Sequence, residues 1–180
     1  MKEKEKLFCQ EFRDSGLIPS DLLAIKNLIF KPANFKCTKP VIETESSEYG
    51  ACTFKLNALT VKFRVAKITP TKSGQFVALW KRVGKTPIQP FDSSDQIDLV
   101  IICVRKDNHF GQFIFPKSVL LKQNIFSTKG RGGKRAIRVY PPWDKTLNNQ
   151  AQKTQKWQID YFLEVARNNL IQFQKLCALK

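Results

Sequence analysis

Six consecutive apolar residues, Leu99-Val100-Ile101-Ile102-Cys103-Val104, constrain the fold of this chain more than any other feature. Four of them are β-branched, which favours extended backbone over helix. A strand that is apolar on both parities has to be covered on both faces, so it belongs in the middle of a sheet with a layer on either side. The run is far shorter than the roughly 20 residues that cross a bilayer, and no longer apolar run exists. With 180 residues, 42% of them hydrophobic, the chain can build one core of ordinary size. A single domain over residues 1–180 is therefore expected.

The neighbouring segments suggest the covering layers. Leu7, Phe8 and Phe12 recur at helical spacing over residues 5–15, and Ser20 is placed to cap a second helix that carries Leu22, Leu23, Ile25, Leu28 and Ile29. Residues 30–47, with Pro32 and Pro40, read as a surface connection. From Leu59 to Ile68, Leu59, Val61, Phe63 and Val65 alternate with Lys62 and Arg64, which predicts a half-buried strand with a basic outer face. The turn chemistry of residues 69–74 joins it to a strand over 75–81 as a hairpin, in which Trp80 shares the inner parity with Phe76 and Ala78. A loop follows over 82–94. Asp98 opens the apolar strand, and the turn at Asp107-Asn108-His109 returns the chain along Gly111 to Phe115. Pro116 starts a short helix through Leu121, residues 135–140 form a last strand, and Ile159, Phe162, Leu163, Ala166, Leu170, Phe173 and Cys177 read as one long amphipathic helix. This order gives an α/β fold, a mixed sheet flanked by helices.

Charge is the second constraint. The net charge is +16, and nearly all of it lies in two windows without acids. Residues 49–91 hold eight Lys or Arg and residues 108–143 hold seven. Concentrated positive charge is stabilised by a polyanion, whose condensed counterions are released on binding. No strongly basic amphipathic helix is evident, so a membrane surface is not the expected partner. Nucleic acid is.

Within the first window, Lys67 and Lys72 flank a hairpin tip with Thr69, Thr71 and Gly74, and Lys81 and Arg82 follow Trp80. In the second, Lys129, Arg131, Lys134 and Arg135 are interleaved with Gly130, Gly132 and Gly133, a pattern of backbone N–H groups and cationic arms suited to phosphate. The GxxxxGK[ST] nucleotide loop is absent. Gln75 and Arg131 are the candidates for contact with base edges.

Signals for chemistry are sparser. Glu45, Glu48, Asp92, Asp95 and Asp98 are the acids available to hold a divalent ion, with Asp98 best placed at the mouth of the apolar strand. His109 reads as a turn residue. Cys9, Cys37, Cys52, Cys103 and Cys177 are odd in number and never spaced as CxxC, which fits reduced thiols better than a zinc or disulfide framework. The opening residues, Met1 to Lys6, alternate bases with acids, and no export leader follows them. A cytoplasmic location is expected.

The phrases Glu48-Tyr49-Gly50-Ala51, residues 63–77 with Thr69-Pro70-Thr71-Lys72-Ser73-Gly74-Gln75-Phe76, Leu79-Trp80-Lys81-Arg82 and Ile137-Arg138-Val139-Tyr140-Pro141-Pro142-Trp143-Asp144 resemble the MepB family over nearly the whole chain. That resemblance implies a small bacterial cytosolic protein with a restriction-endonuclease-like core and a DNA-related, regulatory role. Active members of that fold carry an acid, a PD dipeptide and a [DE]xK triplet. By that pattern, Glu48 matches the first acid and Asp98 the second. Gln112-Phe113-Ile114 stands where [DE]xK is expected, and Ile97 replaces the Pro. The expectation is thus a protein that binds double-stranded DNA through the phosphate backbone and needs no cofactor. The alternatives are a Mg²⁺-dependent nuclease using Glu48 and Asp98, and a regulatory partner of another protein.

Overall fold

The computed structural model describes residues 18–179. The helix expected over residues 5–15 lies outside them. The chain begins with α1 (Ser20–Ile25), whose last turn widens into a π-helical segment, Lys26–Phe30. Ser20 is the first helical residue, not its cap. The carbonyl of Pro19 accepts from the Leu22 and Leu23 N–H groups instead.

The apolar run becomes β8 (Leu99–Lys106), and its first six residues are buried. It runs parallel to β3 (Leu59–Val65) on one side and antiparallel to β9 (His109–Pro116) on the other. With β1 (Val41–Ile42), β2 (Cys52–Leu56) and β11 (Phe162–Glu164) they form a six-stranded mixed sheet, ordered β1-β2-β3-β8-β9-β11. The connection over 30–47 therefore contains an edge strand.

Alternation splits the core in two, since successive side chains of a strand face opposite ways. Leu99, Ile101 and Cys103 join Val61, Phe63 and Ile114 under α1, the π segment and α4 (Leu170–Ala178). Val100, Ile102 and Val104 join Phe113 and Phe115 on the other face. A second layer covers that face. It comprises a three-stranded sheet ordered β10-β5-β4, with β4 (Lys67–Thr69), β5 (Lys72–Ala78) and β10 (Ala136–Val139), and two helices, α2 (Lys117–Lys122) and α3 (Asn149–Ile159). A two-stranded ribbon extends beyond β5: β6 (Trp80–Lys81), the end of the strand expected over 75–81, pairs with β7 (Gln89–Pro90), which lies within the expected loop.

Two sequence expectations fail for packing reasons. The strand expected from Leu59 to Ile68 breaks at Ala66, whose N–H bonds to the Cys103 carbonyl, and Lys67 then enters the second sheet. The hairpin is thus β4 with β5, and the crossover between the parallel strands β3 and β8 is a β layer where a helix is usual. The long C-terminal helix is also interrupted. Phe162-Leu163-Glu164 leaves the helical path to pair with Phe113-Gln112-Gly111, because the edge of β9 offers unpaired backbone groups to an aromatic-rich segment.

Gly111 makes that pairing possible. A Cβ at this position would lie 2.4 Å from Phe162 Cζ. We expect Gly111→Val to displace Phe162 and to cost about 1–3 kcal/mol through overpacking, measured by urea unfolding. An unchanged midpoint would show that β11 is held in place by other contacts.

Candidate nucleic-acid interface

Lys62 and Arg64 project from β3 away from α1 and α4, on the parity of Val100 and Ile102 of β8. The basic face expected to be in solvent is enclosed. Arg64 is 0% exposed, and the Lys62 side chain is 20% exposed. Two cations on one parity beneath another layer require a counter-charge, and Glu43 supplies it. The Glu43 N–H bonds to the Ala51 carbonyl just beyond β1, which sets its carboxylate over Thr53 and Lys62, themselves opposite each other in the β2–β3 register. Glu43 Oε1 accepts from Lys62 Nζ at 2.8 Å and from Thr53 Oγ1 at 2.7 Å, while Oε2 accepts from Arg64 Nη2 at 2.5 Å. Burial pushes the Glu43 carboxyl up, but Arg64 and the bonds from Lys62 and Thr53 outweigh it, so its pKa is lowered.

An open cleft of about 470 Å³ leads out from this node past Trp80 and Phe91. Its cations are also matched. Lys81 Nζ donates to Asp95 Oδ1 at 2.5 Å and Arg82 Nε to Glu45 Oε1 at 2.6 Å. The Lys62 ammonium stands 5.3 Å from the Phe91 ring centroid, and the Arg82 guanidinium 5.8 Å from that of Trp80. Trp80 and Phe76 are only half-buried against the second core, while Gln75, Val77 and Leu79 are fully buried, so the inner parity of this strand is the opposite of the one expected.

Residues 127–135 are held at both ends by backbone bonds, Ser127 to Phe91 and Lys134 to Ile125, and near their middle by an acid. The Asp92 carboxylate accepts from the Gly130 N–H at 2.9 Å, from the Ser94 N–H at 3.0 Å and from Ser127 Oγ at 2.8 Å. These donors, Gly130 first, hold its pKa far below the usual carboxylate range. The loop needs its glycines here. Gly132 and Gly133 have φ of +73° and +84°, and a Cβ on Gly133 would sit 2.9 Å from the Ser127 nitrogen. Lys129, Arg131, Lys134 and Arg135 remain exposed, and none forms an ion pair among the described residues. Asp92→Ala should release the loop and speed amide exchange at Gly130 by about an order of magnitude. Unaltered exchange would show that the turn stands without its acid.

The two basic segments meet at one end of the second sheet. The Leu79 N–H bonds to the Arg135 carbonyl at 2.8 Å, which places Arg135 beside the strand that continues into Lys81 and Arg82. Lys72 is at the other end of β5, six residues from Ala78, or roughly 20 Å of strand. It borders a separate hollow with Lys106, Trp143 and Lys145. Lys67 donates to Glu48 at 2.8 Å. Gln75 is 1% exposed and donates to the Arg105 carbonyl, so it cannot reach a base edge. The single surface expected to run from Lys67 and Lys72 to Arg135 is therefore divided. Lys81, Arg82, Lys129, Arg131, Lys134 and Arg135 share one end; Lys72 does not.

Glu48 and Asp98 are not brought together. Asp98 Oδ2 accepts from the Thr60 N–H at 2.7 Å, fixing the start of β8 on the start of β3. Glu48 is bound to Lys67, past the end of β3, and the five residues from Thr60 to Val65 alone span roughly 17 Å. Two carboxylates so placed do not fit a shared Mg²⁺, whose ligands lie about 2 Å from the ion. Gln112, in the position expected for the third acid, is 0% exposed within the sheet. Cys37, Cys52, Cys103 and Cys177 are buried free thiols; burial raises the pKa of all four, to about 11 for Cys37 and about 12 for Cys52 and Cys177. Among the described residues no group of three His, Cys, Asp or Glu is arranged to hold a metal, and no helix is long and apolar enough to cross a membrane.

A family model described as MepB-like matches residues 43–164. The chain belongs to the MepB-like family. It is similar to the crystal structure of MepB at 31% identity and a TM-score of 0.68, over 91% of this chain and 97% of that one. A slighter likeness, with a TM-score of 0.40 at 14% identity over 77% and 91% of the two chains, is to the bacterial homing endonuclease I-Ssp6803I. No curated protein matches. The MepB-like region opens at Glu43 and closes at Glu164, so it takes in the buried ion-pair node, both basic segments and β11. Glu43 had only the weak signal of recurring with Glu45 and Glu48 ahead of a hairpin. Lys62 and Arg64 on one strand parity were the sharper clue that a buried acid was needed.

Proposed function

We propose that this MepB-like protein binds nucleic acid, duplex DNA foremost, through phosphate contacts at the end of the second sheet where Lys129, Arg131, Lys134 and Arg135 stand beside Lys81 and Arg82. One observation supports this above the rest. The loop carries four exposed cations without an ion-pair partner among the described residues, and the acid bonded to it, Asp92, is already engaged by Gly130, Ser94 and Ser127. Such cations gain affinity by displacing the counterions condensed on a phosphate backbone. Lys81 and Arg82 contribute less, since each is matched to an acid. Arg131, exposed and paired with Thr128 across the Lys129-Gly130 turn, is the remaining candidate for reading base edges. Fluorescence anisotropy with labelled duplex DNA, single-stranded DNA and duplex RNA at several salt concentrations tests the reading. Binding to duplex DNA that weakens steeply with salt supports it, and an affinity indifferent to salt overturns it.

A further inference from the structure

The edge of β10 that faces away from β5 leaves a short stretch of backbone unpaired. Because the Leu79 N–H bonds to the Arg135 carbonyl, residues 135, 137 and 139 direct their backbone groups toward β5, and residues 136 and 138 direct theirs outward. Both ends of that outward edge are closed. At one end the Lys134 N–H bonds to the Ile125 carbonyl at 2.8 Å. At the other, the buried side chain of Gln158 on α3 imitates a neighbouring strand: its Nε2 donates to the Arg138 carbonyl at 3.0 Å and its Oε1 accepts from the Tyr140 N–H at 2.8 Å. Between the closures, the N–H and C=O of Ala136 and the N–H of Arg138 have no bonding partner among the described residues.

These groups face a cleft of about 330 Å³ between β10 and α3. Its walls carry the side-chain amides of Gln123, Asn148 and Gln150, with Trp157 and Thr154 on the helix side and Lys134 at the rim. Among the described residues, no Asp or Glu lines it. Asn148 spends its Oδ1 on the Ala151 N–H, which leaves its amide nitrogen for other use.

We infer that this cleft binds a single unpaired nucleotide, either free or at a break in a strand. The open edge is two residues long and plugged at both ends, so an extended peptide cannot lie along it, whereas a planar base edge fits such a span. A donor–acceptor–donor row of backbone groups opposite side-chain amides suits the hydrogen-bonding edges of a heterocycle, and Trp157 offers an aromatic surface for stacking. The absence of carboxylates and the position of Lys134, which continues into the basic loop, favour a phosphate at the mouth. The volume lies at the lower end of the ~300–1,000 Å³ typical of small-molecule sites. This inference does not depend on duplex binding, and its test is separate.

Titration calorimetry of the full chain with each of the four deoxynucleoside monophosphates, and with inorganic phosphate alone, decides the matter. The expected result is saturable binding of at least one nucleotide at least tenfold tighter than phosphate. Amide exchange at Ala136 and Arg138 in the unaltered protein should slow when nucleotide is added. Thr154→Phe, which fills the cleft from α3, should weaken nucleotide binding at least tenfold, with circular dichroism reporting whether it folds. Equal affinity for phosphate alone, nucleotide binding insensitive to Thr154→Phe in a folded protein, or unchanged exchange at Ala136 and Arg138 overturns the inference. So does the lack of nucleotide binding at millimolar concentration, even if duplex DNA binds. A nucleotide-positive, duplex-negative result leaves this pocket standing and removes the function proposed above.

Discussion

Glu43→Ala is expected to destabilise the protein by about 3–5 kcal/mol, the range for leaving one member of a buried ion pair without its partner. The cause is Arg64, which is 0% exposed and would lose the carboxylate that accepts from its Nη2. Arg64→Met should cost less, because Glu43 keeps Lys62 and Thr53 as donors. The double variant should recover part of the Glu43→Ala loss, since the uncompensated charge is then gone. Urea unfolding of the three variants forms a double-mutant cycle, and a loss below about 1 kcal/mol for Glu43→Ala would show that water reaches Arg64. The pH dependence has a definite sign. The folded-state pKa of Glu43 is lowered, so its contribution is complete above the unfolded-state value and disappears as pH falls through the lower, folded-state value. Glu43→Ala should therefore flatten the acid limb of the stability profile.

Duplex DNA binding should lose roughly 150-fold in affinity between 50 mM and 200 mM salt if the four loop cations each neutralise one phosphate, corresponding to a log–log slope of about −3.6. Arg131→Ala with Arg135→Ala should reduce the magnitude of that slope by about 1.8. Lys72→Ala should leave the slope alone, because Lys72 lies at the far end of β5. A slope that responds to Lys72 as strongly as to Arg131 and Arg135 would place the DNA across the whole sheet and reject the divided surface.

Elements defined by local pattern were the legible part of the sequence. The apolar run on both parities of Leu99 to Val104 specified a central strand, and the turn at Asp107 specified its hairpin with β9. Pro116 marked the start of α2 as its N-cap. The MepB-like resemblance was legible too, because its phrases are long. What escaped was decided by layers meeting. Alternation showed that Lys62 and Arg64 share a face, but only the second sheet determines that the face is enclosed. Phe162 and Leu163 satisfy helical spacing, and nothing local reveals that the edge of β9 lacks a neighbour. For the candidate interface, charge counting found the basic segments, yet the pairing of Leu79 with Arg135 was needed to separate Lys72 from the rest. Glu48 and Asp98 matched a pattern in sequence order while standing at opposite ends of β3.

The crossover between β3 and β8 has a kinetic consequence. These strands form the central parallel pair, yet residues 66–98 separate them and carry β4 to β7. Bringing the ends of a loop of this length together costs roughly 3 kcal/mol of chain entropy beyond a constant, and no central parallel contact repays it until the loop has closed. Folding should accordingly be slow for a chain of this size, as in other topologies dominated by distant contacts. The β8–β9 hairpin can form early and wait for β3, its apolar faces exposed meanwhile, so the nascent protein depends on that waiting time being short.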